Sequence, residues 1–338
     1  MPRSSLRCPS AGVPTRPTSY RTPSGFSLRR LRLTRTSWHR PCGTTRNVCS
    51  GRGDVVIAKD VSGPIHPQKH KVSGVFHRAS DTYDAVGVDF FEPLAAALVA
   101  RADLRPGESV LDLGTGRGAA LFAAARIVGP EGEVVGIDLA EGMVERTSAD
   151  IHLHGLSGHV HVRHGDADHP PARDGGWDTV VASFVLFFLP DPAEAAERIR
   201  SVLRPSGRFV MSSFDTPDQR WKIVEEAVRP FWVDEIEPAH PATRPWFATV
   251  DSVTELMAGA GFVDIDTVVI DHDNIYSDVD HWLAWTWSAG ARAIWERVRE
   301  GELSEALAAA REAVSSLAVP DGTLVESFRV RLSRAVKP

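Results

Sequence analysis

Glycine and aspartate residues follow two apolar segments at a spacing that suits a cofactor built on a nucleoside. Gly114, Gly116 and Gly118 come directly after the apolar run 109–113, and an alanine-rich segment follows them. Glycines let the backbone approach a ligand closely, and the first turn of the next helix offers free N–H groups to a negatively charged group. Asp138 lies 22 positions after Gly116, at the end of a second apolar run. A carboxylate at that place can accept hydrogen bonds from two ribose hydroxyls.

The glycine pattern alone does not identify the cofactor. Gly114, Gly116 and Ala119 also fit the looser fingerprint of dinucleotide-binding proteins, whose last position can be alanine. A tight structural turn in an α/β sheet is a further interpretation of the same residues. At this point the alternatives are a nucleoside cofactor of unknown type and a turn without a ligand.

Five stretches, in order along the chain, resemble the motifs of class I S-adenosylmethionine-dependent methyltransferases. They are Asp112–Gly118, Val134–Leu139, Gly142–Met143, His164–Ala167 and Leu203–Phe209. In that family they form the glycine turn, the ribose-binding strand end, the helix start under the adenine, the loop whose aspartate faces the adenine amino group, and the turn into the fifth strand. The resemblance covers residues 76–271 well. It implies a Rossmann-like α/β fold with a mostly parallel seven-stranded sheet and an antiparallel last strand.

The resemblance also implies which residues contact S-adenosylmethionine. Gly114, Thr115 and Gly116 would line the methionine part, and Asp112 would receive its ammonium group directly or through water. The other implied contacts are Asp138 and Leu139 at the ribose, Met143, Asp166 and Ala167 at the adenine, Ser183 at a strand end, and Tyr83, whose ring would close over the cofactor. An NAD-type oxidoreductase would leave the stretches around Asp166 and 203–209 unexplained.

The stretch Ala182–Asp191, after the predicted fourth strand, indicates a small-molecule acceptor. It lacks the Asn/Asp-Pro-Pro-aromatic box of many methyltransferases that act on amino groups of nucleic acid bases or of protein glutamine. It looks more like the group that includes quinone-biosynthesis and natural-product methyltransferases. Those enzymes often have two histidines before Leu-Pro-Asp, where this chain has Phe187 and Phe188. Phe184 and Phe188 are predicted to line an apolar acceptor pocket, with core packing as the alternative.

Tryptophan and histidine residues are concentrated near the carboxyl terminus. Four of the nine tryptophans fall within residues 282–295, and Trp282 and Trp285 are three positions apart, on one face of a predicted helix. In a lid, this face would bind a flat or apolar acceptor, and packing of the lid on the core is the alternative interpretation. His272 and His281 are candidate bases for an oxygen acceptor, with His77 as a third.

A second histidine cluster invites a metal interpretation. Its members are His152, His154, His159, His161, His164 and His169. No convergent third ligand accompanies the pairs at i, i+2, so these side chains are predicted to be solvated surface groups and no metal site is expected.

Strands and helices alternate from Ser109 to Phe214, which predicts a parallel sheet covered on both faces. The predicted strands are 109–113, 133–138, 159–164, 177–182, 207–214, 262–271 and 323–336, and the predicted helices are 90–102, 117–128, 141–154, 191–203 and 251–259, the last capped by Asp251. Cofactors bind at the carboxyl ends of such strands. Insertions at 215–247 and 277–318 are predicted to form a helical lid on a methyltransferase domain that spans 71–338.

Residues 1–70 are rich in Arg, Ser, Thr, Pro and Gly and show no sustained apolar period, which predicts a disordered basic tail. Three interpretations stay open for it: a translated leader upstream of a later start, which we favour, a transit peptide, and a segment that binds an anionic surface. The cysteines, Cys8, Cys42 and Cys49, all lie in this tail. A disulfide framework is therefore excluded for the rest of the chain, and a cytoplasmic setting is expected.

Charge and hydropathy restrict the partners. Residues 1–53 hold eleven arginines and no Lys, Asp or Glu. The net charge of -6 for the whole chain therefore becomes -17 over residues 54–338. Such an acidic body argues against a nucleic acid substrate, because phosphate binding requires Lys and Arg. No apolar run approaches the roughly 18 residues of a membrane-spanning helix.

The sequence therefore predicts methyl transfer to a small, fairly apolar metabolite. Oxygen is the favoured acceptor atom, with carbon and nitrogen as alternatives. The competing hypotheses are a methyltransferase-fold protein that binds the cofactor without transferring methyl, an NAD-type oxidoreductase, and an interaction protein that uses its basic tail. The oligomeric state is not predicted.

Overall fold

The computed structural model describes residues 66–233 and 244–338. The strands are β1 (Ser109–Leu113), β2 (Glu133–Asp138), β3 (Val160–His164), β4 (Trp177–Ser183), β5 (Leu203–Phe214), β6 (Val263–Tyr276) and β7 (Leu324–Val336). The helices are α1 (Pro67–Ala79), α2 (Phe91–Arg101), α3 (Ala119–Val128), α4 (Glu141–Leu153), α5 (Pro192–Val202), α6 (Lys222–Val228), α7 (Val250–Gly259), α8 (Val279–Ser288), α9 (Arg292–Trp295) and α10 (Leu303–Ser315).

The seven strands form one sheet in the order β3-β2-β1-β4-β5-β7-β6. Strands β1 to β5 run parallel to one another, and β7 runs antiparallel to both β5 and β6. This arrangement confirms the predicted Rossmann-like fold with its mostly parallel sheet and antiparallel last strand. After β3 the chain returns to the other side of β1, so the strand order reverses between β1 and β4, where ligands bind in open α/β sheets.

The sheet separates two apolar cores because successive strand residues point to opposite faces. Val110 belongs to the core shared with α2 and α3, whereas Leu111 belongs to the core shared with α5 and α7. Both residues are fully buried. Asp112 is the next residue on the Val110 face, and so lies on the same side of the sheet as α3.

We use the name lid for α6, which follows β5, together with α8, α9 and α10, which lie between β6 and β7. Helix α6 packs on α10, and the ring of Trp221 lies 5.8 Å from that of Trp282. The two predicted insertions therefore pack together as one helical layer. Residues 234–243 of the first insertion lie outside the described residues.

Helix α1 corrects the predicted boundary of the disordered tail. It begins at Pro67, inside the segment 1–70, because Nδ1 of His66 accepts a hydrogen bond from the Gln68 N–H and Lys69 is buried against carboxylates. The remainder of that segment, with its cysteines, lies outside the described residues. No helix within 66–233 or 244–338 combines the length and hydrophobicity that a membrane span requires.

Two further details differ from the predictions. Helix α7 is capped by Thr249 and not by Asp251, because the Thr249 and Ser252 side chains each accept a hydrogen bond from the other residue's N–H, at 3.0 and 2.9 Å. Strand β6 extends five residues beyond the predicted end at 271, because it pairs with β7 as far as Tyr276 and Leu324. The long β6–β7 pair carries side chains from the sheet out to the lid.

Candidate functional site

The turn after β1 brings its backbone to the surface of the sheet's carboxyl edge. Gly114, Gly116 and Gly118 have φ values of 59°, 53° and 83°, in the left-handed region that glycine adopts without strain. A Cβ on Gly114 would lie 2.5 Å from Cγ2 of Val185, so no larger residue fits there. Gly118 is also the N-cap of α3. A ligand could therefore approach the backbone of this turn closely.

Asp112 is a buried carboxyl at the end of β1, with 1% of its surface exposed. Its Oδ2 accepts a 2.6 Å hydrogen bond from Oγ1 of Thr115. Its Oδ1 is buried and has no hydrogen-bond partner among the described residues. Burial raises the pKa of this carboxyl to about 7, and the nearby charge of Asp138 acts in the same direction. The Thr115 hydrogen bond and the backbone N–H of Leu121 lower the pKa. An unpaired buried carboxylate oxygen suits a cationic ligand such as an ammonium group.

Asp138 connects the ends of β1 and β2. Its Oδ2 accepts a hydrogen bond from the Gly116 N–H and its Oδ1 accepts one from the Ala140 N–H, both at 2.8 Å. Burial raises the pKa of this carboxyl. Each carboxylate oxygen can accept a second hydrogen bond, so Asp138 could still bind a pair of hydroxyl groups.

Tyr83 lies beside the glycine turn. Its ring stacks on Phe91 at 4.5 Å, and a Cβ placed on Gly116 would lie 4.0 Å from the Tyr83 ring. Burial raises the pKa of its hydroxyl well above the ordinary value, and the nearby charges of Asp84 and Asp138 act in the same direction. The structure thus brings Tyr83, Gly116 and Asp138 together.

Two polar residues of α4, Thr147 and Asp150, contact the turn, and the sequence did not indicate either of them. Oγ1 of Thr147 donates a 2.7 Å hydrogen bond to the Gly116 carbonyl. The Arg117 guanidinium donates to the Ser80 carbonyl at 2.9 Å and to Asp150 at 2.6 Å. Thr147 and Asp150 are three positions apart on α4, and their shared helix face is the signal that could have indicated this role.

Asp166 forms an ion pair with Lys69, which the sequence did not indicate as a site residue. Nζ of Lys69, on α1, lies 2.6 Å from Oδ2 of Asp166 and 3.0 Å from Oδ2 of Asp168. Oδ1 of Asp166 accepts a 3.0 Å hydrogen bond from the Asp168 N–H, and Arg198 pairs with Oδ1 of Asp168 at 2.8 Å. All of these carboxylate oxygens thus have a partner. Lys69 lies in the segment whose composition predicts disorder, so no local pattern marked it.

The resemblance to the family implies contacts with the ribose and the adenine for Leu139, Met143 and Ala167, which lie near the ends of the neighbouring strands. Met143 and Ala167 are buried, with 1% and 8% exposed, and Leu139 is half-buried. Nδ1 of His77 accepts a 3.0 Å hydrogen bond from the Gly142 N–H, in the first turn of α4. This contact gives His77 a structural role and makes it a poor candidate base.

Phe184 follows β4 in a strained backbone conformation. Its φ is 58°, which is unusual for a residue with a bulky side chain. Its N–H donates a 2.9 Å hydrogen bond to Oγ of Ser212, and that oxygen lies 3.4 Å from Oγ of Ser183. Strain of this kind persists only where the surroundings impose it, and it concentrates at functional sites.

An aromatic face extends from Phe184 toward the lid, and Phe90 is at its centre. Besides its neighbour Phe91, the ring of Phe90 contacts rings at centroid distances of 5.6 Å to Phe184, 6.4 Å to Phe214, 5.6 Å to His272, 6.0 Å to Trp285 and 5.1 Å to Phe328. We call Phe90 and these last five residues the aromatic face. It joins Phe184 and Trp285, two of the predicted pocket residues.

The other two predicted pocket residues lie elsewhere. Trp282 packs inside the lid, 5.8 Å from the Trp221 ring and 6.1 Å from the Trp295 ring. Phe188 contacts Phe76 of α1 at 5.6 Å. These contacts favour lid packing for Trp282 and contact with α1 for Phe188.

The candidate bases differ in their surroundings. Nδ1 of His281 accepts a 3.1 Å hydrogen bond from the Ser277 N–H, and Nε2 lies 2.9 Å from the Val86 carbonyl. Both ring nitrogens of His281 are therefore hydrogen-bonded to the backbone, which makes His281 a poor candidate base. Nε2 of His272 is buried and has no partner among the described residues.

The second histidine cluster is spread over the far edge of the sheet. His152, His154, His161 and His169 are exposed, and His159 and His164 are half-buried. Within the part of the chain that the structure describes, no three His, Cys, Asp or Glu side chains converge as a metal site would require.

Comparisons with known proteins agree with this geometry. A family model described as a methyltransferase domain matches residues 104–254. The nocamycin O-methyltransferase of Saccharothrix syringae is 38% identical over 240 residues, which cover 66% of this chain and 84% of that protein. The aklanonic acid methyltransferase DauC of Streptomyces sp. strain C5 is 41% identical over 147 residues, which cover 43% of this chain and 66% of that protein.

A solved structure supports the fold alone. The YcgJ protein of Bacillus subtilis matches 72% of this chain and 98% of its own length, with a TM-score of 0.50 and 18% identity. Together with the relative that is matched over most of its length, the fold and the motif order confirm the resemblance stated above. The chain belongs to the class I S-adenosylmethionine-dependent methyltransferases, in the group that includes natural-product methyltransferases.

Proposed function

We propose that this protein binds S-adenosylmethionine at the turn after β1 and transfers the methyl group to an oxygen of a small, fairly apolar metabolite. The observation that carries the proposal is the unpaired Oδ1 of Asp112, a buried carboxylate oxygen beside a glycine turn. A buried charge without a partner is costly, and a ligand ammonium group supplies that partner.

The residues around the turn fit the rest of this cofactor. Asp138 would accept hydrogen bonds from the two ribose hydroxyls through the remaining lone pairs of its oxygens. Tyr83 would cover the turn, and Met143 and Ala167 would contact the adenine. Asp166 would act at the adenine only alongside Lys69, which already pairs with it. When bound, S-adenosylmethionine supplies a methyl group on a positively charged sulfur, ready for displacement by a nucleophile.

The aromatic face would bind and orient the acceptor. Its rings bury apolar surface and exclude water between Phe184 and the lid. Nε2 of His272 is free to take a proton from an acceptor hydroxyl. Oxygen as the acceptor atom is supported by the relative from Saccharothrix syringae, which is named an O-methyltransferase.

The cysteine content and the net charge of the chain bear on its compartment and on its class of substrate. The absence of cysteine from residues 50–338 fits a reducing compartment, and we place the enzyme in the cytoplasm. The acidic charge of residues 54–338 favours a small molecule over a nucleic acid as substrate.

Incubation with methyl-labelled S-adenosylmethionine and a panel of hydroxylated aromatic compounds tests the proposal. Transfer of label to an oxygen, lost in Asp112→Asn and reduced in His272→Phe, is the expected result. Binding of the cofactor without transfer to any compound would favour the alternative of a methyltransferase fold that does not transfer methyl.

A further inference from the structure

Four buried polar atoms around the aromatic face have no hydrogen-bond partner among the described residues. They are Nε1 of Trp221, Nε2 of His272, Oδ1 of Asn274 and Nε1 of Trp285. Native proteins pair the large majority of their buried polar side-chain atoms, so several unpaired atoms in one region call for a partner outside the chain.

These atoms lie on one side of the sheet. His272, Asn274 and Tyr276 alternate along β6 and therefore point to the same face. Phe328 is directly opposite His272 on β7, and its ring lies 6.4 Å from that of Trp285. The Tyr276 ring in turn lies 5.8 Å from Trp285 and 6.2 Å from Trp221.

Tyr276 fixes the orientation of the Asn274 amide. The Tyr276 hydroxyl donates a 2.7 Å hydrogen bond to Oε2 of Glu326 and accepts a 3.0 Å hydrogen bond from Nδ2 of Asn274. The amide nitrogen is thereby assigned, and Oδ1 is the atom left as an unpaired acceptor. Asn274 is 1% exposed, so bulk water does not satisfy this atom.

The indoles elsewhere in the protein show that the unpaired ones are unusual. Nε1 of Trp295 donates to Oγ1 of Thr286 at 3.0 Å, Nε1 of Trp232 donates to the Ile294 carbonyl at 3.1 Å, and Nε1 of Trp177 donates to the Pro171 carbonyl at 2.8 Å. Trp221 and Trp285, at 9% and 8% exposed, are also enclosed and have no such partner among the described residues.

We propose that this side of the sheet recognises a flat acceptor that carries both carbonyl and hydroxyl oxygens. The indole N–H groups of Trp221 and Trp285 can only donate, so each requires an acceptor oxygen, which a carbonyl supplies. Oδ1 of Asn274 can only accept, so it requires a donor, which a hydroxyl supplies. Phe90 and Phe328 contact the flat surface of the ring system. This inference rests on the proposed function, because it specifies the acceptor of the same site.

The test compares two flat probes of similar size on the full chain. They are 2-hydroxy-1,4-naphthoquinone, which carries both kinds of oxygen, and naphthalene, which carries neither. Equilibrium dialysis with and without S-adenosylhomocysteine gives the ratio of the two affinities. We expect the hydroxynaphthoquinone to bind at least about tenfold tighter, as expected when several buried groups become paired.

Variants assign that preference to the proposed residues. Trp285→Phe and Asn274→Leu should each lower the ratio by about 2- to 10-fold, the effect of one lost hydrogen bond, while naphthalene binding changes little. Trp295→Phe is the matched control, because it removes a buried lid indole whose N–H is already paired, and it should leave the ratio unchanged.

Several outcomes would overturn the inference. In the unmodified protein, they are an affinity ratio near one and failure of the hydroxynaphthoquinone to bind. In the variants, they are an equal loss of affinity for both probes in Trp285→Phe, and a loss of the hydroxynaphthoquinone preference in Trp295→Phe as large as that in Trp285→Phe. Calorimetry with S-adenosylhomocysteine on the same samples separates this inference from the proposed function. If the cofactor product binds and the probe preference is absent, only the acceptor inference fails.

Discussion

The hydroxyl of Thr115 donates a 2.6 Å hydrogen bond to Oδ2 of Asp112 and leaves Oδ1 of that carboxyl buried and unpaired. The same turn that holds Thr115 contains the glycines that allow a ligand close to the backbone. One residue of the turn thus orients the carboxyl that is proposed to bind the cofactor ammonium. The proposal that Asp112 binds the cofactor ammonium therefore predicts a cofactor affinity that depends on pH and on the Thr115 hydroxyl.

Cofactor binding should release a proton from Asp112. Its pKa is raised from 3.8 to about 7 by burial, so the carboxyl is largely protonated at pH 6. A bound ammonium favours the ionised form, which means that affinity rises with pH up to about 7 and then levels off. Calorimetry at pH 6 in buffers of different ionisation enthalpy should show proton release, and Asp112→Asn should show none. Release that persists in Asp112→Asn would assign the proton to another group.

Asp112→Asn should also stabilise the cofactor-free protein at pH 8. A raised carboxyl pKa means that the ionised form is disfavoured in the fold, so its contribution to stability is lost as pH rises through about 7. The neutral amide avoids this loss, and the free energy of unfolding should rise by about 1–3 kcal/mol at pH 8 and by less at pH 5. Urea denaturation at both pH values measures this, and a gain that is equal at both would contradict the assignment.

Thr115→Val should move the pH dependence of binding upward. The Thr115 hydrogen bond favours the ionised form of Asp112 and opposes the effect of burial. Without it the pKa of Asp112 rises, so the pH at which the affinity levels off should increase. Calorimetric titrations from pH 6 to 9 measure the shift. Thr82→Val is a suitable control, because the Thr82 hydroxyl binds only the Ala79 carbonyl, and it should leave the profile unchanged.

Asp138→Ala should weaken S-adenosylmethionine binding by about 1.5–3 kcal/mol if Asp138 holds ribose hydroxyls through charged hydrogen bonds. The matched control is Asp266→Ala on β6, which removes an exposed ion pair with Arg101 and should leave the affinity unchanged. Calorimetry on both variants compares the two effects. Equal affinities for Asp138→Ala and the unmodified protein would remove Asp138 from the site.

Lys69→Met should destabilise the fold more than the loss of an exposed ion pair. It would leave Asp166 and Asp168, which are 6% and 8% exposed, without the cation that they share. Breaking a buried pair costs about 3–5 kcal/mol, whereas a surface pair contributes about 0–1 kcal/mol. Urea denaturation of Lys69→Met beside Arg146→Met, which removes the exposed pair with Asp81, measures the difference. Similar midpoints for the two variants would argue against a structural role for Lys69.

Phe184→Gly should be more stable than Phe184→Ala, the reverse of the usual order. Both variants lose the ring contacts with Phe90 and Phe214, but only glycine adopts a φ of 58° without strain. A left-handed conformation costs a non-glycine residue about 1–2 kcal/mol, which is the expected difference between the variants. Chemical denaturation gives the order directly, and a more stable alanine variant would mean that the backbone relaxes there.

The sequence was informative wherever the signal was local. The apolar runs that end at Leu113 and Asp138, and the glycines after the first run, predicted the strands and the turn because each pattern occupies a few adjacent residues. The order of strands and helices predicted the parallel sheet for the same reason.

The contacts that the sequence did not indicate join distant parts of the chain. Lys69 and Asp166 are 97 positions apart, and nothing in the composition around Lys69 marks it as buried. The free Nε2 of His272 and the fully engaged His281 likewise look the same in the sequence. Whether a ring nitrogen is free depends on which backbone groups the folded chain places beside it, and this is a tertiary property.

Binding of S-adenosylmethionine to the full chain is the most direct test of the central claim. Calorimetric titration of the purified protein with S-adenosylmethionine, and with NADH in parallel, should give one site for S-adenosylmethionine with a roughly micromolar dissociation constant, −8 kcal/mol or so. NADH should give no heat of binding. Binding of NADH alone would contradict the cofactor assignment, and binding of neither would remove the turn after β1 as a cofactor site.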